Sequence, residues 1–299
     1  MCDCFLNHYN ISKTKNVIIK EIRKLGEITI LEAIILGLVQ GLAEFLPISS
    51  SGHLALLQFF FGIEEGDALT FAIMLHVGTL ISVFVVYRKD IMELICELGR
   101  LFKDIFTGKG LRINDNPTRK LGFLIIVATI PTGIIGVAFR DVYEMMYGSL
   151  TFIGIGFLIT GTLLVIAQKM SSNELTTNEM KFRSAAFVGL CQGFAIWPGI
   201  SRSGTTIFGS LFCGLTRESA VKFVFLMSIP AILGATALDV VNGVDGMSVA
   251  VLIGMAVSAV TGIFAIKTMI KAISKNKLIG FSIYTWALGI FAIVYPLFF

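Results

Sequence analysis

Two stretches of this chain are apolar, then broken by Pro, Ser and Gly, then apolar again, and the two are copies of one another. Residues 31–61 read LEAIILGLVQGLAEFLPISSSGHLALLQFFF, and residues 183–213 read RSAAFVGLCQGFAIWPGISRSGTTIFGSLFC. At a gapless shift of 152 residues, nine of the seventeen positions in 37–53 match those in 189–205. The matches are Gly37/Gly189, Leu38/Leu190, Gln40/Gln192, Gly41/Gly193, Ala43/Ala195, Ile48/Ile200, Ser49/Ser201, Ser51/Ser203 and Gly52/Gly204. The same shift pairs Phe60 with Phe212, Gly62 with Gly214, Ala68 with Ala220 and Phe71 with Phe223. Coincidence among common apolar residues does not explain a repeated Gln-Gly followed by a repeated Ser-x-Ser-Gly.

Neither half of either stretch is long enough to cross a bilayer, which takes about 20 apolar residues. Each is therefore expected to be a re-entrant helix–loop–helix hairpin. Irregular backbone at membrane depth is tolerated where it is buried in protein or lines a wet cavity. Six other segments do reach spanning length: 70–87, 121–139, 149–167, 219–238, 247–266 and 279–299. Pro131 and Pro230 fall inside two of them and predict kinks, not breaks. Three spans separate the copies, and an odd number of crossings inverts the second copy relative to the first. The expected fold is an all-α polytopic membrane protein with six transmembrane helices and two re-entrant hairpins in an inverted-topology repeat. The first repeat covers about 31–168 and the second about 183–299, within one membrane domain spanning 31–299. In such folds the site lies where interrupted helices of both halves meet.

Composition agrees: 55% of the 299 residues are hydrophobic, only 15% are charged, and mean hydropathy is +0.84. Soluble chains carry about 25% charged residues. The net charge of +4 is small and its basic residues sit in loops without interleaved aromatics, so nucleic acid is not an expected partner. The five cysteines show no disulfide framework. Residues 1–30 form a polar, basic extension that does not read as a signal peptide. Lys and Arg are concentrated in 88–120 and 267–277, which places these connections on the cytoplasmic side, whereas 239–246 has two Asp and no basic residue. The first hairpin then opens to the outer side and the second to the inner. The five basic residues Lys13, Lys15, Lys20, Arg23 and Lys24 disagree with that orientation.

Ionisable groups inside a bilayer are expensive, about 2.5–3.5 kcal/mol each on insertion scales. The hairpins carry Glu44 and His53 in the first and Arg202 in the second. One reading is a structural Glu44–Arg202 pair with His53 merely hydrogen-bonded. The other is an anion site, which the neighbouring residues favour. Ser49, Ser50, Ser51 and Gly52 precede one helix, and Ser201, Arg202, Ser203, Gly204, Thr205 and Thr206 hold the same place in the other hairpin. A helix N-terminus offers free N–H groups and partial positive charge to a phosphate, and Arg adds a planar charged fork. Gln40 and Glu44 share a helix face. Glu44 is placed either to hold a divalent cation with the phosphates or to act as a general base. His53 is a candidate proton donor or orienting group. His76 lies in an unbroken apolar span and reads as structural.

At this point the motifs QGLAEFLPISSSGH at 40–53 and PGISRSGTT at 198–206 closely resemble the signatures of the undecaprenyl-diphosphate phosphatase family, the bacitracin-resistance type. The resemblance runs from about residue 31 to the C-terminus. Its first motif starts with Glu or Gln and has Glu four residues on, here Gln40 and Glu44. Because Gln is neither a base nor a strong metal ligand, Glu44 carries more of the work. The second motif matches at Pro198, Gly199, Ser201, Arg202, Ser203 and Thr206. The resemblance implies hydrolysis of undecaprenyl diphosphate to the monophosphate and inorganic phosphate in the cell membrane, with a site facing outward and a divalent cation, Mg²⁺ or Ca²⁺. The product is the lipid carrier for cell-wall glycan precursors, and removing the diphosphate removes the target of bacitracin. The expected catalytic residues are Glu44, His53, Arg202 and Ser50, with water or Ser50 as nucleophile. Substrate contacts are expected from Gln40, Ser49, Ser51, Gly52, Ser201, Ser203, Gly204 and Thr206, and a metal contact from Glu44. The expected partners are the lipid substrate and the bilayer, and a homodimer is left open. The alternative is a polyprenyl-phosphate flippase, since inverted repeats with broken helices are also the mark of carriers.

Overall fold

Helix caps written into the sequence set where the apolar segments begin. Thr29 and Glu32 form a capping box that starts α1 (Ile30–Phe45). Asn116 caps α5 (Pro117–Ala138), with Pro117 in the first turn, where a missing N–H costs nothing. Ser201 and Ser248 cap α9 (Arg202–Phe212) and α11 (Val249–Ser274). The remaining helices are α2 (Ser50–Phe61), α3 (Glu65–Val86), α4 (Arg88–Phe106), α6 (Arg140–Tyr147), α7 (Leu150–Lys169), α8 (Phe182–Phe194), α10 (Arg217–Val241) and α12 (Ile279–Val294). The structure, a computed structural model, describes residues 28–61, 63, 65–170, 174–241 and 248–298. Most of the expected polar extension at 1–30, and the 239–246 connection beyond residue 241, lie outside the described residues.

Among the described residues, five helical stretches can cross a membrane by length and composition: α5, α7, Arg217–Ala237 of α10, α11 and Ile279–Leu297. Phe71–Val86 of α3 joins them as a sixth if it is counted with α4, from which it is bent by 85°. Helices α5 and α10 run through Pro131 and Pro230 without a break. One expectation needs correcting. The sequence places 88–120 in a basic loop, but 88–106 is a helix. Its charges lie opposite an exposed apolar face that includes Met92, Ile95, Phe102 and Phe106, a spacing of three to four residues that suits a helix with one side against lipid headgroups. Its polar side is held down by the buried Glu97, which accepts from Arg119 Nε at 2.7 Å, Asn116 Nδ2 at 3.0 Å and Arg100 Nη1 at 3.1 Å. Arg119 also donates to Asp104 at 2.8 Å, and this hydrogen bond holds the Asp104 carboxyl below its ordinary range. That contribution is present above the ordinary carboxylate range and is lost as pH falls through the lowered value.

The helices pair in a pattern that exchanges the two copies. Helix α1 packs on α11, and its copy α8 packs on α5; α3 meets α11, and its copy α10 meets α5; α7 packs on α12. The repeated glycines explain the closeness of these pairs. A Cβ on Gly37 would sit 2.5 Å from the Gly254 carbonyl oxygen of α11, and one on its copy Gly189 would sit 2.0 Å from the Ala128 carbonyl oxygen of α5. Small residues let membrane helices approach backbone to backbone. Gly189→Ala is therefore expected to force α8 off α5 and destabilise the protein by about 1–3 kcal/mol. Thermal unfolding in detergent checks this, with Gly280→Ala as control, since nothing lies within 4 Å of a Cβ at Gly280.

Candidate active site

The two interrupted segments meet at their breaks. The Ser203 hydroxyl of the second loop donates to the Leu46 carbonyl of the first at 3.2 Å. Gly52 lies so close to Gly199 that a Cβ at Gly52 would sit 2.9 Å from the Gly199 Cα. Both loops fold the same way locally. In the first, the Ser49 and Ser51 hydroxyls are 3.2 Å apart and the Gly52 N–H donates to Ser49 Oγ at 3.3 Å. In the second, the Ser201 and Ser203 hydroxyls are 3.2 Å apart and the Gly204 N–H donates to Ser201 Oγ at 3.2 Å. The sequence repeat is thus also a repeat of hydrogen bonds. Ser49 sits in the left-handed region at φ 70°, a conformation rare for a serine. On the other loop Gly199 takes φ 90°. Thr160 of α7 pins that loop by donating to the Gly199 carbonyl and accepting from the Ser201 N–H, each at 2.9 Å.

Glu44, 5% exposed near the end of α1, is the centre of the cluster. Its Oε1 is ion-paired with Arg202 Nη2. Its Oε2 accepts from Ser50 Oγ at 2.6 Å and from Gln40 Nε2 at 3.0 Å. Ser50 and Arg202 are equivalent under the 152-residue shift, and each is the first residue of its helix. Duplication has therefore placed a hydroxyl and a guanidinium on the two oxygens of one carboxylate. A small cavity beside them is lined by Glu44, Phe45, Gln192, Arg202, Ser203, Val224, Phe225 and Ser228. A carboxylate within 2.6 Å of a hydroxyl, flanked by a guanidinium and helix N-termini, can deprotonate that hydroxyl next to a bound anion.

Other expected site residues are placed less directly. His53, one turn after Ser50, hydrogen-bonds the Ser49 carbonyl through Nδ1 at 2.7 Å and the Tyr284 hydroxyl through Nε2 at 2.6 Å. Its ring stacks on Tyr284 and meets Phe157 edge-on. No hydrogen bond or ion pair joins it to Glu44 or Arg202 among the described residues. The imidazole that does reach Glu44 is His76, whose Nε2 is 3.5 Å from Oε2. The Thr206 hydroxyl donates back to the Arg202 and Ser203 carbonyls of its own helix, so it is not turned to the cavity. Sequence reasoning also passed over Gln192, whose buried Oε1 has no hydrogen-bond partner among the described residues. Its match to Gln40 in the repeat was the available signal.

Among the described residues no group of three or more His, Cys, Asp or Glu side chains is placed to hold a metal ion. Glu44, the expected metal contact, is a single carboxylate with Arg202 at Oε1 and Ser50 and Gln40 at Oε2.

Comparison with known proteins bears on the chain as a whole. The family model described as "Bacitracin resistance protein BacA" matches residues 33–291. A protein of Alkaliphilus metalliredigens named undecaprenyl-diphosphatase is 52% identical over 274 residues, covering 90% of this chain and 99% of that protein. Proteins with the same name from Carboxydothermus hydrogenoformans and Methanosphaera stadtmanae are 42% and 41% identical, covering 96% and 97% of their own lengths and 88% and 89% of this chain.

Proposed function

The chain belongs to the bacitracin resistance protein BacA family, and from that membership we propose that it is a membrane phosphatase converting undecaprenyl diphosphate to undecaprenyl phosphate and inorganic phosphate. The observation that carries the chemistry is the 2.6 Å hydrogen bond from Ser50 Oγ to Glu44 Oε2, with Arg202 on the other carboxylate oxygen. The terminal phosphate lies between the two Ser-x-Ser-Gly loops. Arg202 and the loop donors balance its charge. As Ser50 Oγ bonds to the terminal phosphorus, Glu44 takes the hydroxyl proton. The bond from that phosphorus to the bridging oxygen breaks, and its electron pair stays on the lipid phosphate. Glu44 passes the proton to the departing lipid phosphate. Ionised again, it draws a proton from the water that cleaves the phosphoserine and returns that proton to Ser50. Positioning and charge stabilisation supply most of the rate in such a site.

The finer architecture follows the same reading. The two copies are inverted repeats whose re-entrant hairpins, α1–α2 and α8–α9, meet at mid-membrane, and the site opens to the outer face of the cell membrane. The exchanged helix pairing and the basic α4 side support this orientation. The divalent cation is a passenger of the substrate: it arrives on the diphosphate oxygens, as Mg²⁺ commonly does. The prenyl chain leaves between helices into lipid.

Purified protein in detergent tests the reading. Phosphate release from undecaprenyl diphosphate is expected, lost on adding a chelator and restored by excess Mg²⁺ or Ca²⁺. No release with either cation, together with lipid translocation in vesicles, would favour the flippase alternative.

A further inference from the structure

We propose that His76 is a positioning residue of the catalytic centre, holding Glu44 in place when Arg202 turns to the substrate. The inference rests on the phosphatase reading above and concerns a residue outside both repeated motifs.

His76 lies on α3, where the Thr79 hydroxyl donates to the His76 carbonyl of the same helix and the Ser82 hydroxyl donates to the Ala259 carbonyl of α11. Its Nδ1 is 2.7 Å from the Ala72 carbonyl oxygen. A carbonyl only accepts, so Nδ1 carries a proton and the ring's direction is fixed by its own helix. The remaining nitrogen, Nε2, is then aimed at Glu44 Oε2 from 3.5 Å. Two bare lone pairs would repel across that gap, so the approach is favourable with a proton between them. Oε2 thus gathers groups from three helices: Gln40 of α1, Ser50 of α2 and His76 of α3.

The need for this contact appears when substrate binds. At rest Arg202 is the counter-charge of Glu44. A diphosphate competes for the same guanidinium, and as Arg202 turns toward it the buried carboxylate loses its partner. An uncompensated buried charge is strongly unfavourable. His76 approaches the other oxygen and is not displaced by an anion arriving at Arg202. It keeps Oε2 directed at the Ser50 hydroxyl during attack. Nothing local in the sequence marks this role, because a single His in an apolar span has no neighbouring polar cluster.

Steady-state phosphate release by parent, His76→Leu and His76→Gln proteins in detergent tests the proposal. His76→Leu is expected to lower kcat about tenfold or more with KM nearly unchanged, because the loss falls on the substrate-bound step. His76→Gln, which restores an N–H donor at similar reach, is expected to recover most of that loss. A merely packing role would leave the Leu variant active. Parent-level kcat in His76→Leu, or a Gln variant as impaired as the Leu variant, overturns the proposal while leaving the phosphatase reading intact. A parent protein that releases no phosphate overturns that reading instead.

Discussion

Arg202→Ala is expected to reduce phosphate release by about 10³-fold or more, because a guanidinium on a transferring phosphoryl group is worth that much. The side chain has two employments, pairing with buried Glu44 at rest and neutralising the diphosphate in the reaction. Truncation removes both, and leaving Glu44 uncompensated costs about 3–5 kcal/mol of stability. Loss of activity in this variant alone would therefore confound catalysis with folding. Arg202→Lys separates them. It keeps the charge near Glu44 Oε1 but lacks the planar fork. The Lys variant is expected to elute and unfold like the parent in detergent while its kcat remains severely reduced. Full activity in either variant would remove Arg202 from the site.

Glu44→Gln is the second large effect. The amide keeps the volume and a hydrogen-bond acceptor for Ser50, but it cannot take a proton. A fall in kcat of about 10²–10⁴-fold is expected, the usual worth of a positioned base. Ser50→Ala should fall at least as far, since the hydroxyl 2.6 Å from Oε2 is the proposed nucleophile. Single-turnover reaction of the parent should leave transient phosphate on Ser50, detectable by mass spectrometry after acid quench. If Ser50→Ala keeps most of its activity, water is the nucleophile and Glu44 activates it directly.

Much of this centre was legible in the sequence because duplication made it so. Gln-Gly and Ser-x-Ser-Gly recur at a fixed shift, and Glu44, His53 and Arg202 stand out against an apolar background. Glu44 and Arg202 were named from that contrast, and the structure brings them into contact. His53 was named for the same reason, yet its partner Tyr284 is 231 residues away, and nothing local foretells that contact. His76 reaches Glu44 only because α3 packs beside α1. Long-range placement of this kind leaves no trace in a window of neighbouring residues. The helix at 88–106 was missed for a different reason. Its charges suggested a loop, although apolar residues at Met92, Ile95, Phe102 and Phe106 already marked a helical face.

The most direct test of convergence is a double-mutant cycle on kcat for Glu44→Gln and Arg202→Lys. Residues from the two halves that work as one centre lose most of their catalysis once either is gone. The double variant is then expected to be little slower than the worse single variant. Losses that multiply would show the carboxylate and the guanidinium acting independently, and one shared centre built from both copies would be contradicted.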